Sequence, residues 1–402
     1  MRIKSFLMAM VSLFVIVLLF GANSIRAEEV RGVTDGTIKF GLIADMTGPC
    51  AHYGVQAAAS FRAYFRHIND QGGINGRKLK LIVEDDRYSI PGAMAAFKKL
   101  VFKDNVLAVD GPSGTGHSQA MFRMFEKEKV PNIPWSNAAS MHTPIKKFIF
   151  SCPGDYRDQA YVIFDYIMKD LNAGNPKICF TYPDNGFGKV AFEYVKERAE
   201  FYGIKLAGTE ILNFGGMDAT SQVLSLRRAK PDYLIMQQVV ATTTALLRDA
   251  KKYRLDIPFF GLMYCCEQDV IRMAGDAAKN LICADAYDPW HADTEGMKRV
   301  REVTLKYNPG TEDKYRPKMY IRTYSDAIVF VEAMKRAGKN LNNMTLVSAL
   351  ESLKDFDTGI SGLITYGPDD HKATDHSRFF KVDVDKRLFV PLTGWRKPVA
   401  SR

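Results

Sequence analysis

The sequence predicts an α/β protein made of two doubly wound lobes, and the order of its apolar segments carries this prediction. Short apolar runs typical of strands alternate with longer segments whose apolar residues have helical spacing. The alternation runs once from Thr37 and starts again at Pro176, which indicates two windings. Hydrophobic residues make up 47% and charged residues 25% of the 402 positions, which excludes a disordered or fibrous protein.

The first winding contains three predicted strands, at 38–44, 78–83 and 106–109. The helix after the first strand has apolar residues at i, i+3, i+4 and i+7 counted from Phe61, and these form one apolar face. Ser89 is the predicted N-cap of the next helix, which has a proline in its first turn. A third helix follows the third strand.

The second winding is longer and continues into a helical region and a tail. Its predicted strands are 178–181, 204–212, 233–236, 259–262 and 281–284, with helices at 157–171 and 187–202. The chain is then mainly helical at 294–353 and β-rich from Ile360 to Val390. We expect the helical region to pack on the first lobe and the tail to complete the second, so the chain crosses between lobes several times.

Residues 1–27 have the pattern of a cleaved secretory signal peptide. Three basic residues and no acid flank an apolar stretch from Phe6 to Phe20, which is too short to span a bilayer. Ala27 is a small residue at the expected cleavage point. The pattern predicts export to the periplasm.

The six cysteines do not have the spacing of a zinc site or of a dense disulfide framework. Cys179 lies in an apolar run, which favours a buried free thiol. An exported protein can oxidise its thiols, so pairing among the other five stays open. They are Cys50, Cys152, Cys265, Cys266 and Cys283.

Other motifs argue against several functions. The net charge of +10 is dispersed in short pairs without interleaved aromatics, so no nucleic-acid groove is predicted. The segment 111–118 nearly matches a phosphate-binding loop, but His117 stands where that loop needs lysine. The acids and histidines of 369–376 are interpreted as a solvated turn between two strands. We predict no catalytic residue, no metal and no cofactor.

In open α/β sheets, ligands bind beyond the carboxyl ends of the strands. Small hydroxyl residues and glycines at such ends expose donors that suit a carboxylate or another anion. Trp135, Phe187 and Tyr264 also fall at the predicted mouth of the cleft, where aromatic residues enclose small organic ligands or pack the lobes together.

The most distinctive run of the chain is I-N-D-Q-G-G-I-N-G-R-K at 68–78, preceded by T-G-P at 47–49 and followed by the acidic pair at 85–86. These motifs resemble those of the leucine/isoleucine/valine-binding proteins of ABC importers. The resemblance covers nearly all of 30–390. It implies the type I periplasmic binding protein fold, in which a hinge of three crossings joins two lobes. The implied first lobe is 28–154 plus 288–376, and the second is 155–287 plus 377–402.

The resemblance also implies the ligand site. In the family, the first lobe holds the ligand's carboxylate and amino group through hydroxyls and backbone N–H groups. The matching positions are Ser113, Gly114, Thr115, Ser136, Asn137 and Ala138, with Tyr53 and Trp135 nearby. Phe187, Gln238 and Tyr264 would close the site from the second lobe.

One family position departs from the pattern. The family places an acid after a late strand to pair with the ligand's ammonium, and that position here is Met263, with Glu267 as the nearest substitute. A buried ammonium without a carboxylate is costly. The open ligand classes are therefore a branched-chain or other amino acid and an aromatic or other organic carboxylate without an amine.

The resemblance implies a monomeric, non-enzymatic substrate-binding protein that delivers its ligand to the membrane permease subunits of an ABC importer. One alternative is the ligand-sensing subunit of a signalling receptor with the same lobes. Another is hydrolysis in the cleft, which would depend on His117 or Asp184.

Overall fold

The computed structural model describes residues 30–310 and 314–400, so the predicted signal peptide at 1–27 lies outside the described residues. The strands are β1 (Thr37–Ala44), β2 (Lys78–Asp85), β3 (Ala108–Ser113), β4 (Asn132–Trp135), β5 (Ile178–Tyr182), β6 (Gly208–Ile211), β7 (Tyr233–Met236), β8 (Phe259–Gly261), β9 (Leu281–Asp285), β10 (Arg378–Asp383) and β11 (Leu388–Pro391). The α-helices are α1 (Ala51–Asp70), α2 (Ile90–Lys98), α3 (Thr115–Glu128), α4 (Tyr156–Asp165), α5 (Gly186–Phe201), α6 (Thr220–Ala229), α7 (Val240–Lys252), α8 (Gln268–Ala274), α9 (Glu295–Tyr307), α10 (Lys318–Ala337) and α11 (Asn343–Glu351).

The strands form two separate sheets, one in each lobe, which confirms the predicted fold class. The first lobe has four parallel strands in the order β2-β1-β3-β4. The second has seven strands in the order β11-β10-β9-β8-β7-β5-β6, and only β10 and β11 are antiparallel to their neighbours. Each sheet is doubly wound, so each has strand carboxyl ends that face one edge.

Late segments of the chain pack into both cores. In the first lobe, Phe40 of β1 packs against Phe61 of α1 and Phe330 of α10, with ring centroids 5.3 and 4.7 Å apart. In the second lobe, Phe380 of β10 joins the core that contains Cys283 of β9. The chain therefore passes between the lobes three times, after β4, after β9 and before β10.

The segments of the first and third crossings pack against each other. His371 of the third crossing is fully buried and stacks on Phe150 of the first, with ring centroids 3.8 Å apart. Its backbone carbonyl accepts the N–H of Ser151 at 2.9 Å. The interpretation of 369–376 as a solvated turn between two strands is therefore wrong for His371, because that ring fills a gap between crossings and the next strand begins only at Arg378.

Several element boundaries differ from the predictions. The strand predicted at 204–212 contains only β6, whose outward-facing positions are exposed. Residues 360–377 make isolated bridges instead of the predicted strands. The sequence analysis identified neither β4 as a strand nor α6 and α8 as helices.

All six cysteines are buried free thiols. Within the described ranges, no helix has the length and apolar character needed to span a membrane.

Candidate functional site

A cavity lies between the two lobes, at the edge where the carboxyl ends of both sheets meet. Its volume is about 50 Å³. The first lobe contributes Cys50, Tyr53, Tyr88, Ser113, Gly114, Thr115, Trp135 and Met319, and the second contributes Tyr156, Phe187, Phe214, Val239 and Tyr264. This volume is much smaller than that of typical small-molecule sites, which indicates that the two lobes are closed on each other.

Five aromatic residues form a chain of ring contacts that runs from one lobe to the other and back. We call this chain the aromatic belt. Its members in order are Tyr53, Tyr264, Phe187, Phe214 and Tyr88, with successive ring centroids 6.1, 5.6, 6.0 and 6.2 Å apart. The first and last contacts cross the cleft. Rings at these distances stabilise each other, so the belt favours the closed arrangement.

The polar end of the cavity is the N-terminus of α3. Gly114 precedes this helix with φ of +93°, and no side chain among the described residues caps it. A Cβ at Gly114 would lie 2.9 Å from the Tyr88 hydroxyl, so only glycine fits there. The first N–H groups of α3 lack intrahelical partners, and such a helix start suits an anionic group.

Two buried carboxylates hold the loop that leads into α3. Asp86 accepts the backbone N–H groups of Tyr88 and Ser113, at 2.8 and 3.3 Å. The Ser113 hydroxyl in turn accepts the backbone N–H of Asp45 at 3.0 Å. Burial raises the pKa of Asp86 to about 6. Asp86 and Asp45 thus fix the backbone of the cavity wall, and neither of them is among the wall residues.

Asp45, Asp85 and Asp86 have one carboxylate oxygen each within 4.8 Å of the others. All three already accept hydrogen bonds from neighbouring N–H or hydroxyl groups. These hydrogen bonds hold the surrounding loops in place and account for the proximity of the three carboxylates.

The hydroxyls of Thr115 and Ser136 meet at 3.0 Å, and both side chains are buried. Thr115 begins α3, whereas Ser136 directly follows β4. This contact joins the two loops that the sequence analysis assigned to ligand binding. It places a pair of hydroxyl groups beside the free N–H groups of α3.

Trp135 connects the cavity to a buried charged group behind it. Its indole N–H donates to Asp110, and burial raises the pKa of that carboxyl well above its usual range. Arg322 of α10 is fully buried in the same region, where it donates to the Pro134 carbonyl and the Cys152 sulfur at 3.0 Å each. Polar contacts within the first lobe therefore hold Trp135, a residue of the cavity wall, in place.

The model of the family described as periplasmic binding protein matches residues 37–387. This chain belongs to that family. Among curated relatives, it is 28% identical over 265 residues to the leucine-, isoleucine-, valine-, threonine-, and alanine-binding protein of Pseudomonas aeruginosa, spanning 66% of this chain and 70% of the relative. It is 24% identical to the Leu/Ile/Val-binding protein of Escherichia coli, over 61% of this chain and 66% of the relative.

Solved structures of this family share the fold. A branched chain amino acid ABC transporter protein of Thermus thermophilus with bound valine gives a TM-score of 0.81 at 22% identity, covering 90% of this chain and 97% of the other. A fatty acid ABC transporter substrate-binding protein of Thermomonospora curvata gives 0.83 at 23% identity, covering 92% and 94%. The ligands named for these neighbours differ, so the shared fold leaves the ligand of this periplasmic binding protein open.

Seven of the residues proposed from the sequence line the cavity of this family member. They are Tyr53, Ser113, Gly114, Thr115, Trp135, Phe187 and Tyr264. Ser136 and Asn137 do not line the cavity but contact residues that do. Ser136 contacts Thr115, and the Asn137 side-chain oxygen accepts a hydrogen bond from the Tyr264 hydroxyl at 3.4 Å.

The structure does not bring four other proposed residues to the cavity wall. Ala138 and Met263 are buried in the core of the second lobe. Gln238 is buried against Thr242 and Leu212 of its own lobe. Glu267 is not among the wall residues, and it accepts the backbone N–H of Lys318 at 2.9 Å. The substitute acid considered for a ligand ammonium is therefore already bound to a helix.

Six cavity residues were missed by sequence reasoning. They are Cys50, Tyr88, Tyr156, Phe214, Val239 and Met319. Tyr88 and Phe214 follow β2 and β6, so the rule of strand carboxyl ends would have found them. Met319 lies on a helix more than 200 residues from Ser113 in sequence, and no local pattern indicates that it reaches the cavity.

Proposed function

We propose that this protein is the substrate-binding component of an ABC importer, which captures a small organic ligand between its lobes and delivers it to a membrane permease. The carrying observation is the cavity, to which both lobes contribute wall residues at their strand carboxyl ends. The relatives are substrate-binding transport proteins, and we propose that this chain likewise performs no turnover.

In the proposed mechanism, the ligand first binds the rigid wall of the first lobe. Its anionic end meets the N-terminus of α3 and the hydroxyl of Thr115, which the buried Ser136 hydroxyl contacts from behind. Hinge motion then brings Phe187 and Tyr264 over it, which completes the aromatic belt. The permease recognises the closed form. We propose that the protein is a monomer in the periplasm after removal of residues 1–27.

Mass spectrometry of the small molecule released when the purified protein is denatured tests the proposal directly. We expect a stoichiometric organic acid or amino acid, and renewed binding of that compound after refolding. Protein that releases no ligand and binds none in a broad metabolite panel would count against the proposal. Capture of a sensor kinase instead of the permease by crosslinking would favour the signalling alternative.

The double variant Thr115→Ala with Ser136→Ala tests the site. Loss of two hydroxyl donors should weaken binding of the released ligand by about tenfold or more, because each hydrogen bond contributes roughly 0.5–1.5 kcal/mol. Thr209→Ala with Ser221→Ala removes two exposed hydroxyls of the second lobe and should bind like wild type. Unchanged affinity in the first variant, with an unchanged melting temperature, would remove the site assignment.

A further inference from the structure

We propose that the cavity selects a small aromatic carboxylate that has no amino group. This inference rests on the proposed function and narrows its ligand. It combines three observations: a wall dominated by aromatic rings, a set of unpaired N–H donors at one end, and a wall without a carboxylate.

The wall composition argues for a flat ring. Seven of the thirteen wall residues are aromatic, five of them in the aromatic belt, and the other two are Trp135 and Tyr156. Tyr156 contacts Phe187 edge-to-face at 5.6 Å, with an interplanar angle of 84°. A planar ligand ring can make the same stacking and edge contacts with these side chains, which an alkyl chain cannot.

The hydrogen-bond donors at one end of the cavity favour a ligand with an anionic end. The N-terminus of α3 offers N–H groups and a favourable helix dipole, and the Thr115 and Ser136 hydroxyls lie beside it. Carboxylates bind such donors strongly because both the dipole and the hydrogen bonds favour negative charge.

The lack of an acidic residue in the described cavity wall argues against a ligand with an ammonium group. Among the described residues, none of the thirteen that line the cavity is an aspartate or a glutamate. The buried acids nearby are occupied: Asp86 accepts two backbone N–H groups, and Glu267 accepts that of Lys318. The fully buried cation Arg322 lies behind the wall. An ammonium enclosed here would lose its water without gaining a countercharge, which is strongly unfavourable.

Matched ligand pairs test the inference on protein refolded from denaturant to remove bound compounds. Isothermal titration would compare 3-phenylpropanoate with phenylalanine and 4-methylpentanoate with leucine, because each pair differs only in the amino group. We expect the deaminated acid to bind at least tenfold more tightly in both pairs. We also expect 3-phenylpropanoate to bind more tightly than 4-methylpentanoate and octanoate.

Tighter binding of phenylalanine or leucine than of the deaminated partner would overturn the inference while leaving the proposed function intact. Tighter binding of octanoate would overturn the aromatic part in the same way. Failure of every compound would overturn the inference too, and the released ligand found by mass spectrometry would then decide whether the proposed function also fails.

A variant isolates the contribution of the aromatic wall. Phe187→Leu should weaken 3-phenylpropanoate several-fold more than 4-methylpentanoate, since only the ring loses its edge contact. Phe201→Leu, which changes an exposed ring on the same helix, should leave both affinities unchanged. Equal weakening of both ligands by Phe187→Leu would overturn the assignment of ring recognition to this wall.

Discussion

Arg322 shows how a single residue beneath the cavity can support a wall that it does not itself line. The side chain is fully buried and donates to Pro134 and Cys152, while Asp326 lies 3.9 Å away. Burial raises the pKa of Asp326 to about 6, although the guanidinium counteracts this shift. The arginine is therefore part of a buried network in which each polar group depends on its partners.

Arg322→Met should lower the free energy of unfolding by about 3–5 kcal/mol, because it leaves Asp326 and a backbone carbonyl buried without their partner. Urea denaturation of the purified variant measures this loss. Arg336→Met is the matched control on the same helix, where a partly exposed arginine pairs with Glu332 at 2.8 Å. It should cost less than about 1 kcal/mol. Equal losses in the two variants would contradict the buried-network interpretation.

The thiols give a second test at the residue scale. Burial raises the pKa of Cys50 and Cys265 to about 12, and that of Cys152 and Cys179 to about 11. Because the thiolate is the reactive form, these four cysteines should resist alkylation by iodoacetamide at pH 8 in the folded protein. Peptide mapping should find them labelled only after denaturation. Rapid labelling of any of them in native protein would show that its surroundings open.

Helix α10 shows how one element links the two lobes. Its N-terminus follows Pro317, and no side chain close in sequence caps it. Glu267, from the second lobe, accepts the N–H of Lys318, and the Lys318 ammonium pairs with Asp285 at the end of β9. A carboxylate at a helix N-terminus is favourable, so this contact joins a first-lobe helix to the opposite lobe.

The same contact predicts a pH dependence. Burial raises the pKa of Glu267 from 4.5 to about 7, with Lys318 opposing the shift. The folded state then binds this proton more tightly than the unfolded state, so the contribution of Glu267 to the free energy of unfolding falls as pH rises from 4.5 to 7. Glu267→Gln keeps an oxygen acceptor but does not titrate.

The stability of Glu267→Gln relative to wild type should therefore improve between pH 5 and pH 7.5, as measured by urea denaturation. Glu200→Gln, an exposed change on α5, should follow the wild-type profile. A relative stability of Glu267→Gln that stays constant or worsens with rising pH would contradict the burial-raised pKa.

The bounds of an element could be predicted from the sequence where a single clear pattern marks them. The run Tyr233–Met236 is a strand in both the prediction and the structure because four apolar residues lie between polar turns. In contrast, β4 has only four residues and includes Pro134, so its sequence reads as a loop. Its strand pairing depends on Val109 and Asp110 of β3, a tertiary contact that no local pattern reveals.

At the scale of the whole molecule, the lobes approach each other where two helices begin. A Cβ at Gly186, the first residue of α5, would lie 3.3 Å from the backbone nitrogen of Gly116 on α3. The contact crosses the cleft beside Thr115. A larger side chain at Gly186 would therefore press against the start of α3 in the closed arrangement.

Gly186→Leu should hold the lobes apart. We expect the ligand to bind at least about tenfold more weakly, since the second lobe no longer completes the wall. Small-angle scattering should show no decrease in the radius of gyration on ligand addition. Gly394→Leu, whose added Cβ would meet open space, should close and bind like wild type. A Gly186→Leu protein that closes normally would contradict the role of this contact.

The candidate site was only partly predictable because it belongs to the assembled lobes. Loop residues such as Thr115 and Phe187 follow strands, and strand order alone indicates where they lie. Tyr156 and Met319 reach the cavity only because the chain crosses between lobes and returns. Glu267 looked like a ligand-pairing acid from its sequence position, but the structure gives it a helix terminus as its partner.

The late position of β10 and β11 has a consequence for how the protein is made. Until residues 378–391 leave the ribosome, β9 has an open edge on the side that β10 later pairs with. An unpaired strand edge is a template for aggregation, so nascent chains of this length need protection by chaperones or a slow collapse of the second lobe. Truncation just before Arg378 should therefore yield insoluble protein, even though every cavity residue would still be present.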